Sequence, residues 1–146
     1  MKVLSNNAKI TVFAYTKDDI DINDYVKKLI RKLKNKYRIN MFGFYQINIY
    51  KNSVVGMIAD IIKEDDDIDY FNDIIDLKIK VYEDADVYFV FDDYFFNEIM
   101  KIKVLDDKYY INIKDLSYRE YLTLTDFCNY VYGDELDVIK DKLLMS

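Results

Sequence analysis

Glu64, Asp65, Asp66, Asp67 and Asp69 crowd one short stretch of the chain. Alternating carboxylates invite a calcium loop, with Asp65, Asp67 and Asp69 as its first, third and fifth ligands. The sixth position must then be Gly for the sharp turn, but it is Tyr70. The twelfth should be a bidentate Glu, but it is Asp76. The cluster therefore reads as a solvated acidic patch, and no metal site is expected. Asp76 and Lys78, with Asp60 upstream, form a carboxylate–x–lysine pattern. Metal-dependent nucleases use such a set to hold Mg²⁺ and to stabilise charge at the phosphate. Residues two apart on a strand share a face, yet the surrounding segment is too acidic to welcome a phosphate.

Absent residue types exclude more chemistry. The chain has 0 His, 0 Pro, 0 Trp, 1 Cys and 3 Gly. Without His there is no His general base, His-containing triad or His metal ligand. Three scattered Gly cannot build a Gly-rich phosphate loop, and a single Cys forms no internal disulfide. Cys128 sits among Phe127, Tyr130 and Val131 with no adjacent base to activate it, so it is expected to be a buried, inert thiol in a helix. No catalytic residue, cofactor or enzymatic activity is expected.

Charge is distributed unevenly. The net value is -6. Residues 1–58 carry 11 Lys and Arg against 4 Asp, whereas residues 59–99 carry 3 Lys against 14 Asp and Glu. Much of the basic excess lies on one helical face: Lys27, Lys28, Arg31, Lys32 and Lys34, continued by Lys36 and Arg38. The bland expectation is that this face answers the acidic middle of the same fold. A phosphate-gripping face is the alternative, although nucleic acid is not the expected partner of so acidic a chain.

Tyrosine is abundant, with 15 Tyr and 9 Phe. Tyr packs its ring while keeping a hydroxyl for water, which suits interfaces. The densest run, Tyr88 to Phe96, holds Tyr88, Phe91, Asp92, Asp93, Tyr94 and Phe95. Strand alternation cannot bury all its rings on one side. Either both faces are covered, or part of the run is an exposed aromatic-acidic surface.

The elements follow from periodicity. With 146 residues, 51% of them hydrophobic, the chain is about one ordered domain. Lys9–Thr16, Phe42–Tyr50, Val54–Lys63, Asp73–Tyr82 and Asp86–Asp92 alternate as strands. Tyr25–Tyr37 is amphipathic, with Val26, Leu29, Ile30, Leu33 and Tyr37 on its apolar stripe and Asp21 or Asn23 as cap. Asp92–Met100 reads as one or two helical turns. Lys101–Leu105 and Tyr109–Lys114 read as a hairpin. Both Ser117 with Glu120 and Thr123 with Asp126 could open the next helix, and Gly133 would stop it. Asp134–Leu144 is a final helix capped by Asp134. We expect one α+β domain over residues 1–146. Its sheet is mainly antiparallel with helices largely on one face. Residues 9–63 and 86–133 could be two βαββ halves. No apolar run approaches the ~18 residues of a membrane span, and Met1–Ala8 is no secretory signal. A cytoplasmic location is expected.

Three pieces of the second half, Phe89–Ile99 (FVFDDYFFNEI), Lys108-Tyr109-Tyr110 and Tyr132-Gly133, resemble the C-terminal domain of MecA-type adaptors. That resemblance implies recruitment of substrates to a Clp unfoldase. The expected function is a small non-enzymatic protein-interaction module, an adaptor or regulator, acting through its aromatic-acidic surface. Its expected partner is another protein with a basic surface, with a homodimer open and no membrane involved. Two alternatives remain. One is an acidic nucleic-acid mimic that inhibits a basic nucleic-acid-binding protein, and the other is the carboxylate-dependent nuclease.

Overall fold

The computed structural model describes residues 2–5, 9–15, 20–41, 43–64, 75–92 and 102–145, with the backbone alone at 75 and 76. It is an α+β fold with mostly antiparallel sheets. The chain divides into two compact units, one of residues Met1–Ile49 and Met57–Val81, the other of Tyr50–Gly56 and Tyr82–Ser146.

The first unit holds β1 (Lys2–Ser5), β2 (Lys9–Ala14), α1 (Ile22–Asn35), most of β3 (Gly43–Asn52), β4 (Gly56–Lys63) and β5 (Ile75–Tyr82). Its strands lie in the order β1-β2-β4-β3-β5. β1 was not legible in sequence. Only four residues long, it pairs with β2 from Lys2 opposite Phe13 to Ser5 opposite Ile10. Alternation sends Tyr45, Ile47 and Ile49 of β3 to one face. There they pack with Met57, Ala59 and Ile61 of β4 and with Val12 of β2. Val26, Leu29, Ile30 and Leu33 of α1 close over that face. The helix starts where expected, because the Asp21 carboxylate accepts the backbone N–H of Asn23 at 2.9 Å and of Asp24 at 3.3 Å. It ends through the Ile39 N–H, which donates to the Leu33 carbonyl at 3.0 Å across Arg38, a residue at φ 54°. Asp60 is buried and accepts the Thr11 hydroxyl at 2.8 Å, with the Lys9 ammonium 3.8 Å away.

The second unit contains β6 (Val87–Phe91), β7 (Ile102–Leu105), β8 (Lys108–Asn112), a 3₁₀ turn (Ile113–Asp115), α2 (Tyr118–Leu124), β9 (Asn129–Tyr132) and α3 (Gly133–Met145). The sheet order is β7-β8-β6-β9. The central strand β6 sets Tyr88 opposite Asn112 and Val131, and Phe89 opposite Ile111 and Tyr130. Successive side chains point to opposite faces, and here helices cover both. Leu136 and Leu143 of α3 pack with Tyr88, Tyr110 and Val131. On the other side Phe89 stacks on Tyr121 of α2, with ring centroids 5.6 Å apart.

Three expectations for this region change. Ser117, not Thr123, opens α2. Ser117 accepts from the Glu120 N–H at 3.1 Å while Glu120 accepts from the Ser117 N–H at 2.9 Å. Thr123 instead donates to the Arg119 carbonyl at 2.9 Å. Helix α2 is short, and Cys128 lies between it and β9 rather than in a helix. The Tyr130-Val131-Tyr132 run, aromatic and β-branched, takes the free edge of β6 instead. Gly133 therefore begins α3 instead of ending a helix, and Asp134 sits in the first turn, where a carboxylate suits the positive helix end. The turns expected in Asp92–Met100 lie outside the described residues beyond Asp92.

Tyr50–Gly56, the tip of the β3–β4 hairpin, counts with this second unit. Its Asn52 side chain accepts from the Val54 and Val55 N–H groups at 2.9 and 3.1 Å, and donates to the Ala85 carbonyl at 2.9 Å.

Candidate functional site

The residues expected to form an aromatic-acidic surface divide by burial. Tyr88 and Phe91 are each 5% exposed. Tyr88 belongs to the core beneath α3, and Phe91 stacks on Tyr109 at 5.5 Å. Neither ring is available to a partner, because each strand face here is covered. Asp92 is exposed. Asp93, Tyr94 and Phe95 lie outside the described residues.

Exposed apolar side chains of this unit lie elsewhere, on α3 (Val138, Leu144, Met145), on β7 (Val104), and on α2 and just after it. Tyr118 is 56% exposed, Leu122 49% and Phe127 68%. The capping box sets the phase of Tyr118 and Leu122, while Phe127 lies past the helix end. With Ser117 as cap, Tyr121 and Leu124 turn inward, and Cys128 follows them into the core. Tyr118 and Leu122, four apart, share the other side of the helix. Asp126 is exposed beside them in sequence, so aromatic and acidic groups are combined here too. The S-x-x-E pattern was the signal in the sequence that could have found this face.

Below α2 the polar tips are joined. The Tyr121 and Tyr130 hydroxyls meet at 2.8 Å, and the Thr125 hydroxyl meets Tyr130 at 2.8 Å. Burial, followed by the Tyr130 hydroxyl, holds the Tyr121 phenol well above its ordinary range. This network anchors α2, so its outer face is presented on a fixed support. Burial also pushes the Cys128 thiol up to about 11, which keeps it protonated and unreactive near neutral pH.

In the first unit the basic face is placed as its spacing predicts. Lys27, Lys28, Arg31 and Lys32 are exposed and Lys34 is half-buried. None of the five forms an ion pair with a described residue. The described pairs are Lys9–Asp60, Lys51–Glu83, Lys78–Glu64 and Lys140–Asp86. Much of the acidic segment, residues 65–74 and 93–99, lies outside the described residues. Of the acidic patch, Glu64 faces Lys78 at 4.0 Å, while Asp65, Asp66, Asp67 and Asp69 lie outside the described residues.

Glu64 and Lys78, with Phe44 and Tyr45, line a cavity of about 250 Å³. Asp60, the upstream carboxylate of the nuclease pattern, is engaged by Thr11 and Lys9, and the side chain of Asp76 lies outside the described residues. Among the described residues no three Asp, Glu, Cys or His side chains come together as a metal site. No described helix is long and apolar enough to cross a membrane.

No protein-family model matches this chain, and neither the curated proteins nor the solved structures yield a match.

Proposed function

We propose that the chain is a small cytoplasmic protein-interaction module, an adaptor or regulator without catalytic machinery, and that it binds through the outer face of α2. The observation carrying this reading is the exposure of Tyr118, Leu122 and Phe127 over a buried support. Protein interfaces centre on large aromatic and aliphatic anchors with a polar rim. Here Arg119 and Asp126 supply the rim. Buried Tyr88 and Phe91 move the contact surface away from the aromatic run that sequence favoured. The faint MecA-type pattern is compatible with an adaptor role.

The test is site-specific photo-crosslinking in host extract. A benzophenone at Phe127 is expected to yield a discrete heavier product, and Tyr118→Ser with Leu122→Ser should abolish it while leaving the melting temperature unchanged. If the Phe127 probe gives no discrete product, or one indifferent to those two substitutions, α2 is not the binding face.

A further inference from the structure

We infer that the outer face of α1 binds the phosphate backbone of a nucleic-acid strand without reading its sequence. This inference is independent of the α2 proposal, because it concerns other residues and another chemistry.

Charge density is the first argument. No Asp or Glu occurs between Asp24 and Asp60, although the chain holds 27 of them. Within that acid-free stretch lie Lys27, Lys28, Arg31, Lys32, Lys34, Lys36 and Arg38. Lys27 with Arg31, and Lys28 with Lys32, form two rows along the helix. Each four-residue step rises about 6 Å, so each row presents successive cations to a polyanionic strand. Exposed charges farther away than about 8 Å are largely screened at physiological salt, so the local density on α1 matters more to a bound strand than the net charge of -6.

The second argument separates nucleic acid from an acidic protein. A protein interface needs an apolar centre, with charges depleted there. The apolar residues of α1 are committed to the core: Val26, Leu29, Ile30 and Leu33. Its outer face offers cations and Asn35, with only Tyr37 beyond it as a partly exposed ring beneath Lys36. Backbone phosphate contacts need charge and hydrogen-bond donors and nothing apolar.

Arg38 supplies the third. It occupies the left-handed region at φ 54°, where Gly relieves the strain that a β-carbon introduces. Arg at that position carries the cationic face past the end of the helix.

The experiment uses the full chain and fluorescein-labelled DNA of about 20 nucleotides, single-stranded and duplex. Poly-glutamate of equal charge serves as the competing polyanion. Binding is expected to at least one DNA, weakening steeply between roughly 50 and 200 mM salt. Lys28→Gln with Arg31→Gln should make the log–log salt dependence about two units shallower. Arg38→Gly should weaken binding without lowering the melting temperature, an outcome a purely structural Arg38 would not give. The inference fails if neither DNA binds at low salt, or if the variants bind like the parent. It also fails if poly-glutamate binds as tightly as DNA, which would assign the face to acidic proteins.

Discussion

Tyr50 and Gly133 are in contact so close that a β-carbon on Gly133 would lie 2.7 Å from the Tyr50 hydroxyl oxygen and 3.0 Å from its ring. Gly133 also has φ +61°, a conformation that costs other residues roughly 1–2 kcal/mol. The Tyr50 ring is held from two further sides, stacked on Tyr82 at 4.8 Å and edge-on to Tyr132 at 5.0 Å. Gly133→Ala is therefore expected to destabilise the protein by about 2–3 kcal/mol, from left-handed strain plus overpacking. Removing the hydroxyl with Tyr50→Phe should recover part of that loss. Urea unfolding of both single variants and the pair would show the coupling; strict additivity would contradict the contact.

Phe89 and Phe127 should respond oppositely to truncation. Phe89 is fully buried between Tyr121 and Tyr130, with centroids at 5.6 and 5.0 Å. Phe89→Ala should cost on the order of 3–5 kcal/mol. Phe127→Ala should stay within about 0.5 kcal/mol, as surface changes do. Thermal melts decide this directly. A large loss at Phe127 would return that ring to the core and remove the α2 surface.

Alkaline pH should destabilise the second unit, because unfolding releases a buried thiol and a buried phenol to ionise. Burial lifts the Cys128 thiol from its ordinary 9.0 to about 11 and lifts Tyr121 as well. A folded value above the unfolded one means that the neutral form is favoured in the fold. The stabilisation is complete below the unfolded value and is lost as pH rises toward and through the folded one. Stability measured in urea should fall between about pH 9 and 11, and Cys128→Ala should flatten part of that fall. Iodoacetamide labelling of Cys128 near neutral pH should be slow until denaturant opens the fold.

Acid should loosen the start of α2 through Glu120. The Ser117 backbone N–H, then its hydroxyl, hold the Glu120 carboxyl below its ordinary 4.5. The folded value is lowered, so the stabilisation is present above 4.5 and disappears as pH falls through the lowered value. Glu120→Gln should reduce the acid-side slope of stability. Ser117→Ala removes the cap itself and should cost roughly 1 kcal/mol. Nuclear magnetic resonance titration of the Glu120 carboxyl in the Ser117→Ala variant should show it returning toward 4.5.

Local rules carried much of this fold. The α1 stripe of Val26, Leu29, Ile30 and Leu33 and its Asp21 cap were readable because both depend only on residues within a few turns. The alternation of Tyr45, Ile47 and Ile49 likewise named the inner face of β3. The exposed cations of α1 follow from the same period as its buried stripe. Tertiary structure decided what local patterns leave degenerate. Whether Tyr88 and Phe91 were core or surface depended on whether a second helix covered the sheet, and the packing of Tyr121 on Phe89 answers that. Asn129–Tyr132 became a strand because β6 had an edge to pair, which no window around Cys128 reveals. The exposure of Phe127 and the burial of Cys128 one residue later are likewise set by where α2 stops and β9 begins. Sequence periodicity specifies which residues share a face, but burial is a property of what comes to lie against that face.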